Sequence, residues 1–156
     1  MKKLKKILLL SPLLVLMGCS TKSNPKLNQY VKYEQNLLYT KVATLSLANN
    51  SLVSMNITYL NSSNSKKYNN IYQNFVVTLY SEDNVQIDPK KLTMNNNDLL
   101  KITKIDKKSP LYQNVAVKNN WSNYYLIQFS NTKHKYINLK YTYDIDHILN
   151  IDFIKE

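Results

Sequence analysis

After residue 18 the chain contains no glycine: the 156 residues hold a single one, Gly18. Every left-handed backbone turn beyond that point must therefore use Asn or Asp, which tolerate positive φ next best. The sequence supplies them as ANNS at 48–51, NSSNS at 61–65, NNN at 95–97 and NN at 119–120. The same absence excludes whole classes of chemistry. A P-loop, a dinucleotide fingerprint and a G-x-S-x-G elbow each need glycine where the backbone turns sharply or approaches a ligand.

Between these turns the hydrophobic period is two. In TKVATLSL, Ala43, Leu45 and Leu47 share a face, and in SLVSMNITYL, Val53, Met55, Ile57 and Tyr59 do. YQNFVVTLYS places Phe75, Val77 and Leu79 on one face and Val76, Thr78 and Tyr80 on the other, the pattern of a central strand. A weaker strand is expected at 99–105. NYYLIQFS aligns Tyr125, Ile127 and Phe129, and YINLKYTYD aligns Ile137, Leu139, Tyr141 and Tyr143. The tail HILNIDFIKE reads as a last strand or an irregular edge. ANN at 48–50 is expected to close one hairpin and NTKHK at 131–135 a second. KKSPLYQNVAVKNNW, 107–121, reads as a long connection with little regular structure.

This pattern predicts a mainly β chain, an antiparallel Ig-like β-sandwich of about seven short strands. One helix should precede it at 26–38, opened by Pro25 at its first turn. Leu27, Tyr30, Val31, Leu37 and Leu38 fall near one side of that helix. This stripe is expected to pack on the domain, with a partner-binding helix as the alternative.

The chain begins MKKLKKILLLSPLLVLMG. A basic opening followed by a short apolar run is the form of a secretory signal. The run is too short to cross a bilayer, which takes about 20 apolar residues. Its end, Leu16-Met17-Gly18-Cys19, resembles the lipobox of bacterial lipoproteins, with Met17 a less usual residue at its place. The resemblance covers only the first twenty or so residues. It implies cleavage between Gly18 and Cys19 and acylation of Cys19, the one cysteine, which has no disulfide partner. Two or three acyl chains hold firmly where one binds weakly. The resemblance also implies an anchor in the cell envelope. Ser20, rather than Asp, points to the outer membrane if the cell has two. The expected organisation is a signal at 1–18, a tether at 19–25 and a single domain at 26–156.

Lysine supplies all 21 basic residues against ten acids, a net charge of +11. Loss of the four signal lysines leaves 17 against the same 10 acids, a balance of +7. With no arginine and an exported chain, nucleic acid is not an expected partner, since bidentate readout relies heavily on Arg. The abundance of Asn, Lys, Tyr and Ile fits an AT-rich genome. Neither the lysine excess nor the thirteen tyrosines is therefore a functional sign by itself, and a solvated surface is the plain reading.

Two clusters stand out. DIDH at 144–147 gathers Asp144, Asp146 and His147, with Asp152 nearby. Calcium needs more oxygens and usually a glycine in its loop, and zinc needs a second His or a Cys. His134, the only other histidine, stands in NTKHK. The cluster is read as an acidic strand end, with no metal. NNWSNYY holds Trp121, the one tryptophan, next to Tyr124 and Tyr125, with Tyr125 expected to face inward. Trp121 is read as a lid on the sandwich end. The alternative makes Trp121 and Tyr124 a contact for a sugar ring or a peptide. The sequons at Asn56, Asn61 and Asn120 are not expected to carry glycans in a bacterial lipoprotein.

No nucleophile–base pair is evident, so catalytic residues, cofactors and metals are all expected to be none. The leading expectation is a lipid-anchored, non-catalytic accessory protein that binds another envelope component, with an envelope protein as the partner. The alternative is a surface lipoprotein binding a glycan or host molecule around Trp121. An envelope hydrolase using the acidic tail is the weaker third.

Overall fold

The computed structural model describes residues 25–47, 51–64, 67–68, 71–82 and 86–155. The expected signal segment at 1–18, Cys19, the expected tether up to residue 24 and the turn expected at ANN 48–50 lie outside the described residues. The chain opens with helix α1 (Pro25–Leu38) and continues through β1 (Thr40–Ser46), β2 (Leu52–Tyr59), the one-turn helix α2 (Leu60–Ser63) and β3 (Tyr72–Ser81). Then come β4 (Leu92–Met94), β5 (Asn97–Asp98), β6 (Lys101–Lys104), β7 (Asn123–Ser130), β8 (Tyr136–Thr142) and β9 (Ile148–Ile154). Short 3₁₀ turns lie at Pro89–Lys91 and Pro110–Asn114.

The fold is mainly β, built as two antiparallel sheets. One runs β1-β2-β3-β7-β6 and the other β5-β4-β8-β9. Period-two alternation turns one face of each toward a shared core. The first sheet contributes Val53, Met55, Ile57, Tyr59, Phe75, Val77, Leu79, Ile127 and Phe129. The second contributes Leu92, Met94, Ile137, Leu139, Tyr141, Leu149, Ile151 and Phe153. At its centre Phe75 stacks on Tyr59 with centroids 5.0 Å apart and meets Phe129 and Phe153 at 6.0 and 5.7 Å.

β3 is central, as its two apolar faces predict, because a second layer covers the back of its sheet. Leu60, Val76, Ile105, Val115 and Tyr124 form a smaller cluster there, flanked by Tyr68, Leu111 and Tyr112. The long connection after β6 supplies most of this cover, folding across the sheet through the Pro110–Asn114 turn.

Buried amides knit the start of β3 into the fold. On the core side the Tyr59 hydroxyl donates to Gln73 Oε1, and Gln73 Nε2 donates to Asn131. On the back side Asn61 Oδ1 accepts from the Asn74 backbone N–H at 2.8 Å, and Asn61 Nδ2 donates to the Tyr72 carbonyl at 2.8 Å. Gln128 Nε2 reaches Asn74 Oδ1 across the β3–β7 pair at 2.8 Å. Each of these buried polar groups is thereby satisfied rather than left to a desolvation cost of about 1–3 kcal/mol.

Four expectations need correction. β7 and β8 do not form a hairpin. β7 pairs with β3 and β6 while β8 pairs with β4 and β9, so residues 131–135 cross from one sheet to the other. Both strands present alternating apolar faces to one core, and alternation does not say which sheet a strand joins. The hairpin partner of β8 is β9, closed through the 143–147 turn. There are nine strands among the described residues rather than about seven, because β4 and β5 are too short to show a period. NSSNS at 61–65 is not a left-handed turn over its described residues, since Asn61, Ser62 and Ser63 belong to α2. Among the described residues NNN is the left-handed one, with Asn95 and Asn96 at φ of 49° and 63° between the paired Met94 and Asn97. Two consecutive positive-φ residues make the tight mirror-image turn that suits the strand twist.

The fourth correction concerns α1. Among the described side chains of α1 the buried one is Asn36, 2% exposed, whereas Tyr30, Val31, Leu37 and Leu38 face solvent, Leu38 at 80%, and the side chain of Leu27 lies outside the described residues. The cause is local. A single residue, Tyr39, joins α1 to β1, and Thr40 Oγ1 donates to the Asn36 carbonyl at 2.6 Å while meeting Thr58 Oγ1 at 2.7 Å. That short link fixes the helix rotation, so the apolar stripe turns away from the body. No described helix is long and apolar enough to cross a membrane.

Candidate functional site

An exposed turn held by four hydrogen bonds precedes β7. Asn119 Oδ1 accepts from the backbone N–H groups of Trp121 and Ser122 at 3.1 and 2.7 Å, an Asx-type turn. The Tyr124 hydroxyl locks this turn from beneath, accepting from Asn119 N–H at 2.8 Å and donating to the Asn119 carbonyl at 2.6 Å. Tyr124 is itself 2% exposed and stacks edge-on against Tyr112, with centroids 5.3 Å apart. Its hydroxyl is spent inside the protein, so it supports the turn rather than reaching a ligand.

Trp121 does not cap the end of the sheets. It is 71% exposed, on a backbone pinned by the turn. It borders a depression of about 430 Å³ lined with Leu79, Ser81, Gln86, Ile87, Asn123 and Tyr125. Tyr125 packs against the main core from the β7 side, as its place in the alternation predicts. Burial raises the pKa of its phenol, and the Asp88 charge adds to that rise. The depression therefore offers one exposed indole, one phenol ring, two amides and a serine. Flat aromatic faces beside neutral hydrogen-bonding groups suit a sugar ring or an extended peptide.

A second concavity lies beside α1. A groove of about 630 Å³ is lined by Lys26, Gln29, Tyr30, Lys32, Tyr33 and Lys118, among others. Burial lowers the Lys32 pKa, and the neighbouring charges of Lys67 and Lys118 lower it further. Burial also lowers Lys118, whose ammonium sits 4.9 Å from the Tyr112 ring centroid. The period of α1 could not reveal this groove. Lys118, from the irregular connection, forms its other wall.

The DIDH segment is a turn. Asp144 Oδ1 accepts from Asp146 N–H at 3.0 Å, from His147 N–H at 2.9 Å and meets His147 Nδ1 at 2.7 Å. Desolvation acts to raise the Asp144 pKa, but the hydrogen bonds from His147 and Asp146 prevail and lower it. Asp152 is engaged elsewhere, accepting from Asn138 Nδ2 at 2.8 Å. His134 lies on the other connection, beside Asn95, Asn96, Tyr136 and Asn138. Among the described residues no three His, Cys, Asp or Glu side chains converge.

No family model, no curated protein and no solved structure matches the chain.

Proposed function

We propose that this protein is a lipid-anchored binding protein of the cell envelope, non-catalytic and held by an acylated Cys19, which meets an envelope protein through the Trp121 turn. The outer membrane is its place if the cell has two. One observation carries the reading, namely an exposed tryptophan on a backbone pinned by four hydrogen bonds. A backbone already held in place loses less entropy on docking, and tryptophan is enriched among the residues that dominate interface energies. Anchoring raises the effective concentration of both partners, so a small contact suffices.

The sheet order supports an Ig-like label for the fold. β2-β3-β7-β6 against β9-β8-β4-β5 follows the A-B-E-D and G-F-C-C′ arrangement of such sandwiches, with β1 added at one edge. The label carries no function. Nuclear Overhauser contacts between Ile102 and Ile127, which are paired across β6 and β7, test it. If β6 lay in the other sheet, the label would be lost.

A second reading uses the same site. The neutral amides of Gln86 and Asn123 beside Trp121 suit a glycan. In-cell crosslinking of the tagged chain, read by mass spectrometry, separates the two. We expect one dominant envelope protein, lost in Trp121→Ala and reduced in Cys19→Ser. If Trp121→Ala keeps the adduct, the site is wrong. If no adduct forms but envelope polysaccharide quenches Trp121 fluorescence, the glycan reading replaces the protein one.

A further inference from the structure

We infer that the lysine-lined groove beside α1 docks on the phosphate head groups of anionic phospholipid, laying α1 along the bilayer surface. Three observations meet at this place. First, among the described residues the groove walls carry Lys32 and Lys118 and no carboxylate, and Glu34, the one acid of α1, is not among the lining residues. The charges that act on Lys32 are two further lysines, Lys67 and Lys118. Such a gathering of like charge is relieved by an anion. Second, two phenol rings stand beside these lysines, and the solvent side of the same helix carries apolar residues. Tyr30, 60% exposed, and Tyr33 line the groove, and Val31, Leu37 and Leu38 are exposed along the same helix. Phenol rings settle at head-group depth, aliphatic side chains reach just below, and lysine stems extend to the phosphates. Third, the groove lies close to the attachment point in sequence. Lys26 follows Cys19 by seven residues, a reach of at most about 24 Å of extended chain. An acylated Cys19 therefore keeps this face within about 24 Å of the membrane, whereas an acidic protein would have to be brought there.

The inference gives the anchored protein a fixed orientation and rests on the anchored reading for its setting, but the groove can be tested without the lipid. Full-length mature chain carrying Cys19→Ser is sedimented with vesicles of phosphatidylcholine alone or with about 30% phosphatidylglycerol added. Binding is expected only to the anionic vesicles and should weaken as salt rises. Each lysine at an anionic surface contributes roughly fivefold, so Lys32→Gln with Lys118→Gln should weaken binding about 25-fold. Lys133→Gln with Lys135→Gln, exposed on the β7–β8 connection, removes the same charge and should change binding less than twofold. Circular dichroism checks that both pairs fold. Equal binding to neutral vesicles overturns the inference, as does equal loss from the two lysine pairs. So does failure of the folded chain to sediment, whatever acidic protein the groove then retains. A chain that binds vesicles through the groove but is not acylated in cells removes the anchor and leaves the groove. An acylated chain with an inert groove does the reverse.

Discussion

Tyr124→Phe isolates the hydroxyl that makes two of the four hydrogen bonds pinning the Trp121 turn. The ring stays, so its packing against Tyr112 and in the back cluster is unchanged. What is lost is a hydroxyl that makes two hydrogen bonds to Asn119, at 2.8 and 2.6 Å. Each net hydrogen bond contributes about 0.5–1.5 kcal/mol, which sets a range of about 1–3 kcal/mol for the pair. Asn119 is only half-buried, so water can partly replace the lost partner, and we expect about 1.5 kcal/mol. For a domain of this size that lowers Tm by roughly 5–7 °C. Urea titration followed by far-ultraviolet circular dichroism gives the stability change. Trp121, the only tryptophan, reports the turn directly, and acrylamide should quench it more readily in the variant. Ser122→Ala is the control. Among the described residues the Ser122 hydroxyl is buried without a hydrogen-bond partner, so its removal should be neutral or slightly stabilising. If Tyr124→Phe costs less than about 0.3 kcal/mol and leaves quenching unchanged, the hydroxyl does not order the turn. The binding proposal would then lose its preorganised element.

Phe75→Ala removes a fully buried ring shared by three aromatic contacts and should cost about 3–5 kcal/mol, read by urea titration. Asn96→Gly should stabilise by a few tenths of a kcal/mol and Asn96→Val destabilise by about 1–2 kcal/mol, because residue 96 sits at φ of 63°. Alkaline stability should decline. Burial raises the phenol pKa of both Tyr59 and Tyr141 to about 12. Above the unfolded value near 10, unfolded chains lose these protons while folded chains keep them. Stability is therefore full below pH 10 and falls between pH 10 and 12, by on the order of 2 kcal/mol per tyrosine. Tyr59→Phe with Tyr141→Phe should flatten that decline in pH-dependent urea titrations, and an undiminished slope would assign it to other groups.

The period-two signal found the long strands and their core faces because one face of each is buried, so Val53, Met55 and Ile57 or Ile137, Leu139 and Tyr141 leave a mark in the sequence. It gave no information on sheet membership, and so β7 and β8 read as neighbours when they lie in opposite sheets. Two- and three-residue strands such as β4 and β5 fall below the length at which a period exists. The α1 stripe was legible, but its direction was not. A one-residue link and the Asn36–Thr40 hydrogen bond decide which side faces the body, and that is a tertiary matter. Trp121 drew notice as the sole tryptophan, yet its outward setting depends on Asn119 and Tyr124. Lys118 gave no local sign of its place opposite α1, because only the path of the long connection brings it there.

The amides at the start of β3 carry a consequence for how the chain avoids misfolding. β3 has apolar side chains on both faces through Phe75, Val76 and Val77, so sliding it along its neighbours costs little in greasy surface. Hydrophobicity alone is an imprecise ruler for such a strand. Gln73 and Asn74 supply the missing graduation. In the native alignment Gln73 meets Tyr59 and Asn131, and Asn74 meets Asn61 and Gln128. A slip in either direction moves two buried amides away from those partners at once, on opposite faces of the sheet. At about 1–3 kcal/mol for each stranded group, the offset strand is rejected by several kcal/mol. The polar residues at the strand's first positions thus act as a vernier, selecting one alignment from several that the oily surface would accept.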